Sequence, residues 1–95
     1  MDAAEAKELL GEELARWRGR SFEELAGRVD AEPYTADVRG ASGARYGLEV
    51  EVFWDARPGG TLRVLAMIDD GGLRAWKPLS DDFLVAPDGS FVGEG

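Results

Sequence analysis

Leu62-Arg63-Val64-Leu65-Ala66-Met67-Ile68, then Asp69-Asp70-Gly71-Gly72, then Leu73-Arg74-Ala75-Trp76-Lys77-Pro78-Leu79 reads as two β-strands joined by a tight turn. Glycine supplies the positive φ that hairpin turns require, and acidic residues beside it bond to turn backbone. The stretch preceding this hairpin has the clearest alternation in the chain. Tyr46, Leu48, Val50, Val52 and Trp54 fall on one side, and Glu49 and Glu51 on the other. That period of two is the mark of a strand with one buried face.

Upstream, Pro33 ends any helical reading, because the residue before a proline is pushed towards extended geometry. Tyr34, Ala36 and Val38 then alternate with Thr35, Asp37 and Arg39. Four strands joined by short loops imply an antiparallel meander. Parity suggests the register: Val52 opposite Leu62 brings Val50 to Val64, Leu48 to Ala66 and Tyr46 to Ile68. If Ile68 faces Leu73, the same apolar face continues through Ala75 and Leu79. The Gly40-Ala41-Ser42-Gly43 turn needs an odd-numbered loop or a bulge that pairs Val38 with Tyr46, since pairing Val38 with Arg45 would rotate the strand to the wrong face.

Residues 2 to 18 have the grammar of a helix. Asp2 caps it with Glu5 in a capping box, acids crowd its start, and Arg16, Arg18 and Arg20 lie at its end, with Gly19 as the C′ residue. Ala3, Ala6, Leu10, Leu14 and Trp17 form one stripe at spacings of three and four. Gly11 interrupts it and marks a close approach or a bend. Ser21-Phe22-Glu23-Glu24 opens a second, short helix through about Arg28 with Phe22, Leu25, Ala26 and Val29 inward. Beyond Leu79, Ser80-Asp81-Asp82 reads as a break, and Phe83-Leu84-Val85-Ala86, Pro87-Asp88-Gly89-Ser90 and Phe91-Val92 as a terminal hairpin. The expectation is a single α+β domain over residues 1–95. Two N-terminal helices pack on one face of a four-stranded antiparallel meander, with a short C-terminal hairpin or extended segment.

Composition bounds the function. The 95 residues carry a net charge of -8 and 44% hydrophobic side chains, which suits one folded core. A surplus of carboxylates opposes binding to nucleic acid or anionic membrane, both of which require clustered Lys and Arg. The absence of Cys, His, Asn and Gln removes thiol nucleophiles, imidazole bases and the usual zinc ligands. No apolar run reaches membrane-spanning length and the acidic start is unlike a signal peptide, so the expected location is cytoplasmic. No catalytic residue, cofactor or metal is assigned.

Carboxylates are the plentiful reactive groups. Asp69-Asp70 and Asp81-Asp82 are the places where a metal-assisted enzyme would hold a divalent cation, but the spacing matches no calcium loop. Adjacent acids on an extended chain also point to opposite sides. Gly59-Gly60 and Gly71-Gly72 lack the following helix and Lys-Ser/Thr of a phosphate loop.

The second face of the sheet is more informative. It carries Phe53, Leu65, Met67 and Trp76, with Leu65 opposite Trp76, and Glu51, Arg63 and Arg74 around them. Glu51 opposite Arg63 makes a cross-strand ion pair in this reading. Apolar and aromatic residues rimmed by charge mark an interface, unless the terminal segment folds back over them. The leading expectation is a non-catalytic module that binds a protein partner or a second copy of itself through this face. A carboxylate-dependent enzyme and an acidic, immunity-like inhibitor of a basic toxin are the alternatives.

Val52-Phe53-Trp54-Asp55, Pro58-Gly59-Gly60, Ile68-Asp69-Asp70-Gly71-Gly72, Pro78-Leu79-Ser80 and Ala86-Pro87-Asp88-Gly89-Ser90 together resemble a small bacterial domain family of unknown function. The resemblance runs from about Ser21 to Glu94. It implies a prokaryotic stand-alone domain and brings no catalytic residue or cofactor.

Overall fold

The computed structural model describes residues 2–71 and 78–94. Helix α1 spans Ala3–Arg18 and α2 spans Phe22–Ala26. Five strands follow: β1 Tyr34–Arg39, β2 Arg45–Trp54, β3 Leu62–Asp69, β4 Leu79–Val85 and β5 Phe91–Val92. They form one sheet in the order β1-β2-β3-β4-β5, antiparallel throughout. The α+β class and the meander are as the sequence implies.

Both helices start where the capping residues place them. Asp2 accepts from the Glu5 N–H at 3.1 Å, and Ser21 Oγ accepts from the Glu24 N–H at 3.1 Å, so each satisfies an amide that the first helical turn leaves unpaired. Gly19 keeps a right-handed φ of -78°, so α1 ends without a left-handed C′ residue and turns directly into the Ser21 cap. A Cβ at Gly11 would meet nothing within 4 Å, so this glycine marks no close approach.

Both helices cover one face of the sheet. Ala6, Leu10, Leu14, Trp17 and Leu25 meet Tyr46, Leu48, Val50, Val52, Leu62, Val64, Ala66, Ile68, Phe83 and Val85 in one buried cluster. Leu62, Val64, Ala66 and Ile68 are 0% exposed, which makes β3 the centre of the core. Leu62, Val64 and Ile68 each contribute about 1.5–3 kcal/mol through burial.

Three expectations are corrected. The partner of β3 is not Leu73–Leu79 but Leu79–Val85: Ile68 faces Leu79, Val64 faces Phe83 and Leu62 faces Val85. The expected strand from Leu73 therefore falls largely on residues 72–77, outside the described residues. Second, Ser80-Asp81-Asp82 lies within β4 instead of breaking the chain. The terminal hairpin exists, and it joins the sheet as β4 and β5. Third, the β2–β3 register is offset by two positions, with Val52 facing Val64 and Trp54 facing Leu62. The Asp55 N–H donates to the Thr61 carbonyl at 2.9 Å and closes a tighter loop than a Val52–Leu62 pairing requires. An offset of two preserves every side chain's face, so the buried set is unchanged. Val38 does face Tyr46, as the odd-numbered loop requires.

Candidate functional site

The sheet face away from the helices is built from alternate residues of all five strands. Phe53, Leu65, Met67, Leu84 and Val92 make its apolar part. Phe53 is 37% and Val92 41% exposed, while Leu65, Met67 and Leu84 are half-buried among their neighbours. The core lies wholly on the opposite side, and neither described helix contributes to this face.

The register decides what surrounds these residues. Glu49 lies opposite Met67, Glu51 opposite Leu65, and Arg63 opposite Phe53. The expected pair of Glu51 with Arg63 does not form. Arg63 instead bonds Asp82 of the adjacent strand, and its Nη2 donates to Asp55 Oδ1 at 2.8 Å. These carboxylates, Asp55 first, push the guanidinium pKa above its ordinary value. Leu65 faces Asp82, not Trp76. Trp76 and Arg74 lie outside the described residues. Phe53, Leu65, Met67, Glu51 and Arg63 are thus together on one face, in a different pairing from the expected one.

Sequence reasoning missed Leu84 and Val92. They belong to this face because Leu84 pairs with Val92 across β4–β5, one position from the inward Val85 and Phe91 pair. Alternation within Phe83-Leu84-Val85 was the available signal. The terminal segment does not fold over the face as a cover; it extends the sheet sideways and adds two apolar side chains to it.

Gly47 leaves a gap in the same face between Asp37 and Asp69, which flank it on β1 and β3. A Cβ there would lie 3.6 Å from an Asp69 carboxylate oxygen. The gap opens a shallow depression of about 550 Å³ bordered by Thr35, Asp37, Glu49, Met67 and Asp69.

Asp69 and Asp81 are used locally. Asp69 Oδ1 accepts from the Gly71 N–H at 2.8 Å, and Asp81 Oδ1 from the Asp82 N–H at 2.8 Å. Among the described residues no group of three acidic side chains is arranged to hold a metal ion. No described helix is long and apolar enough to cross a membrane.

Comparison with protein-family models, curated proteins and solved structures finds no match to this chain. The turn motifs behind the family resemblance have local explanations. Gly59, Gly71 and Gly89 have φ of 83°, 75° and 88°, conformations that favour glycine wherever such turns occur.

Proposed function

We propose that this protein is a non-catalytic binding module whose working surface is the open sheet face, and that its partner is a protein presenting basic groups around an apolar centre. The observation that carries this reading is the pairing of Leu65 with Glu51 and of Met67 with Glu49 on a face that neither described helix covers. Apolar area supplies affinity, and the adjacent carboxylates select the partner's charge.

Arg63 does not neutralise these acids, since Asp55 and Asp82 already engage it. Glu49 and Glu51 form no side-chain hydrogen bond or ion pair with another described residue. With a net charge of -8, the field of the whole chain favours approach of a basic surface. An inhibitor that masks a basic protein is one form of this function.

A synthetic peptide alternating Arg with Leu serves as a defined probe. Titrated into the labelled protein, it is expected to move the amide signals of Glu49, Glu51, Leu65 and Met67 and to lose affinity as salt rises. Leu65→Glu is expected to abolish the effect while helix and sheet content stay unchanged. Shifts confined to the helices, or unchanged by Leu65→Glu, contradict the proposal.

A further inference from the structure

We infer that the free edge of β1 pairs antiparallel with the same edge of a second copy, about a two-fold axis at Val38, so that the sheet runs continuously through a weak homodimer. This interface is an edge and stands independently of the open-face reading.

The two edges of the sheet are finished differently. At one edge, β5 has only Phe91 and Val92, and the following Glu94 is tied back to Arg18 by bonds of 2.7 and 2.8 Å. A short, tethered edge is protected from pairing. The other edge, β1, has six residues, Tyr34–Arg39, with no proline inside it and a regular register against β2. Its ladder has no bulge, and its charges, Asp37 and Arg39, are of opposite sign.

The hydrogen-bond alternation sets which residues face outward. The Gly40 N–H donates to the Ala44 carbonyl at 2.9 Å, so that position bonds towards β2, and so do Val38 and Ala36 by alternation. The backbone groups of Thr35, Asp37 and Arg39 therefore point away from the sheet. In an antiparallel pair, directly opposed residues share a face. A two-fold axis at Val38 sets Asp37 opposite the second copy's Arg39, and Arg39 opposite its Asp37.

Charge selects this register from the alternatives. An axis at Asp37 would oppose two carboxylates, and one at Ala36 would leave Arg39 outside the paired segment. Within the chain Arg39 lies opposite Arg45, a like-charge pair that destabilises an antiparallel ladder. Asp37, Arg39 and Arg45 form no side-chain hydrogen bond or ion pair with another described residue. The second copy's Asp37 would compensate the arginine pair, twice per dimer. On the helix side, Ala36 and Val38 are only partly buried, and Val38 would meet its own copy where opposed side chains are closest. The interface is isologous, as closed dimers generally are.

Sedimentation velocity over a concentration series up to about 1 mM tests this. The wild type is expected to pass from monomer to dimer. Asp37→Arg and Arg39→Asp, each reversing both cross-dimer pairs, are expected to weaken the dimer about tenfold. The double variant, which restores opposite charges across the axis, is expected to recover it. Asp37→Pro provides a second probe: it removes an outward N–H while the bonds to β2 remain, and is expected to leave a folded monomer. Monomer at every concentration, indifference to both single reversals, or failure of the folded double variant to recover overturns the inference. Persistence of the dimer in Leu65→Glu separates it from any association through the open face.

Discussion

Arg63 on β3 bonds diagonally to Asp82 on β4, although the residue directly opposite Arg63 is Leu84. Asp55, in the loop after β2, receives the same guanidinium through Nε at 3.2 Å and Nη2 at 2.8 Å. One cation therefore joins a loop and two strands at the margin of the open face. Its side chain is 33% exposed, so solvent screening keeps the contribution modest. Arg63→Met is expected to lower stability modestly, because both Asp55 and Asp82 lose their cation. Asp82→Asn should cost less, since Asp55 still holds the arginine. Urea denaturation of the two variants and their combination checks this, and the losses should not add.

On α1, Glu13 is 5% exposed and accepts from Trp17 Nε1 at 2.8 Å while pairing with Arg16. Its position one turn before the tryptophan lets a buried carboxylate satisfy a buried donor. Glu13→Ala should destabilise by about 1–3 kcal/mol by leaving the indole N–H unpaired. Glu13→Gln keeps an acceptor and should cost less, which denaturation with tryptophan fluorescence resolves.

Glu5 links the start of α1 to the β1–β2 turn. It accepts from the Ser42 N–H at 3.0 Å, the Ser42 hydroxyl at 2.7 Å and the Tyr46 hydroxyl at 2.7 Å. These bonds, Tyr46 first, lower the Glu5 pKa below its ordinary 4.5, and the bond to Glu5 pushes Tyr46 from 10.0 up to about 12. The native carboxyl holds its proton less tightly than the unfolded one. Its contribution is therefore complete above pH 4.5 and is lost as pH falls through the lowered native value. The native phenol holds its proton more tightly, so its contribution is complete below pH 10.0 and is lost as pH rises through about 12. Glu5→Gln should flatten the acid limb of stability against pH, and Tyr46→Phe the alkaline limb. Gly40→Ala places a Cβ 2.3 Å from the Glu5 carboxyl and should weaken both by displacing it.

Much of this fold was legible because its signals are local. Asp2 and Ser21 announce the helix starts, and alternation from Tyr46 to Trp54 assigns the buried face whatever the exact register. The fourth strand was not legible for the same reason. Asp81 and Asp82 have poor strand propensity, and tertiary interactions offset it: the ladder to β3, the burial of Phe83 and Val85, and the bond from Arg63 to Asp82. Among the site residues, Phe53, Leu65 and Met67 follow from parity alone. Their charged partners depend on register, which the closing bond from the Asp55 N–H to the Thr61 carbonyl marks.

Arg18 fastens the end of the chain to α1. Its guanidinium carbon lies 4.7 Å from the Phe83 ring centroid and 4.8 Å from that of Phe91, with Glu94 bound beyond. Arg18→Ala should cost about 1–2 kcal/mol and raise amide exchange in β5 more than in β2. Glu94→Gln removes an exposed ion pair and should change stability by less than about 1 kcal/mol.

Amide shift mapping with the Arg-Leu peptide decides whether the open face binds a basic partner. Perturbations centred on Glu49, Glu51, Leu65 and Met67, abolished by Leu65→Glu, are the predicted result. Perturbations confined to α1 and α2, or a response untouched by Leu65→Glu, would contradict it.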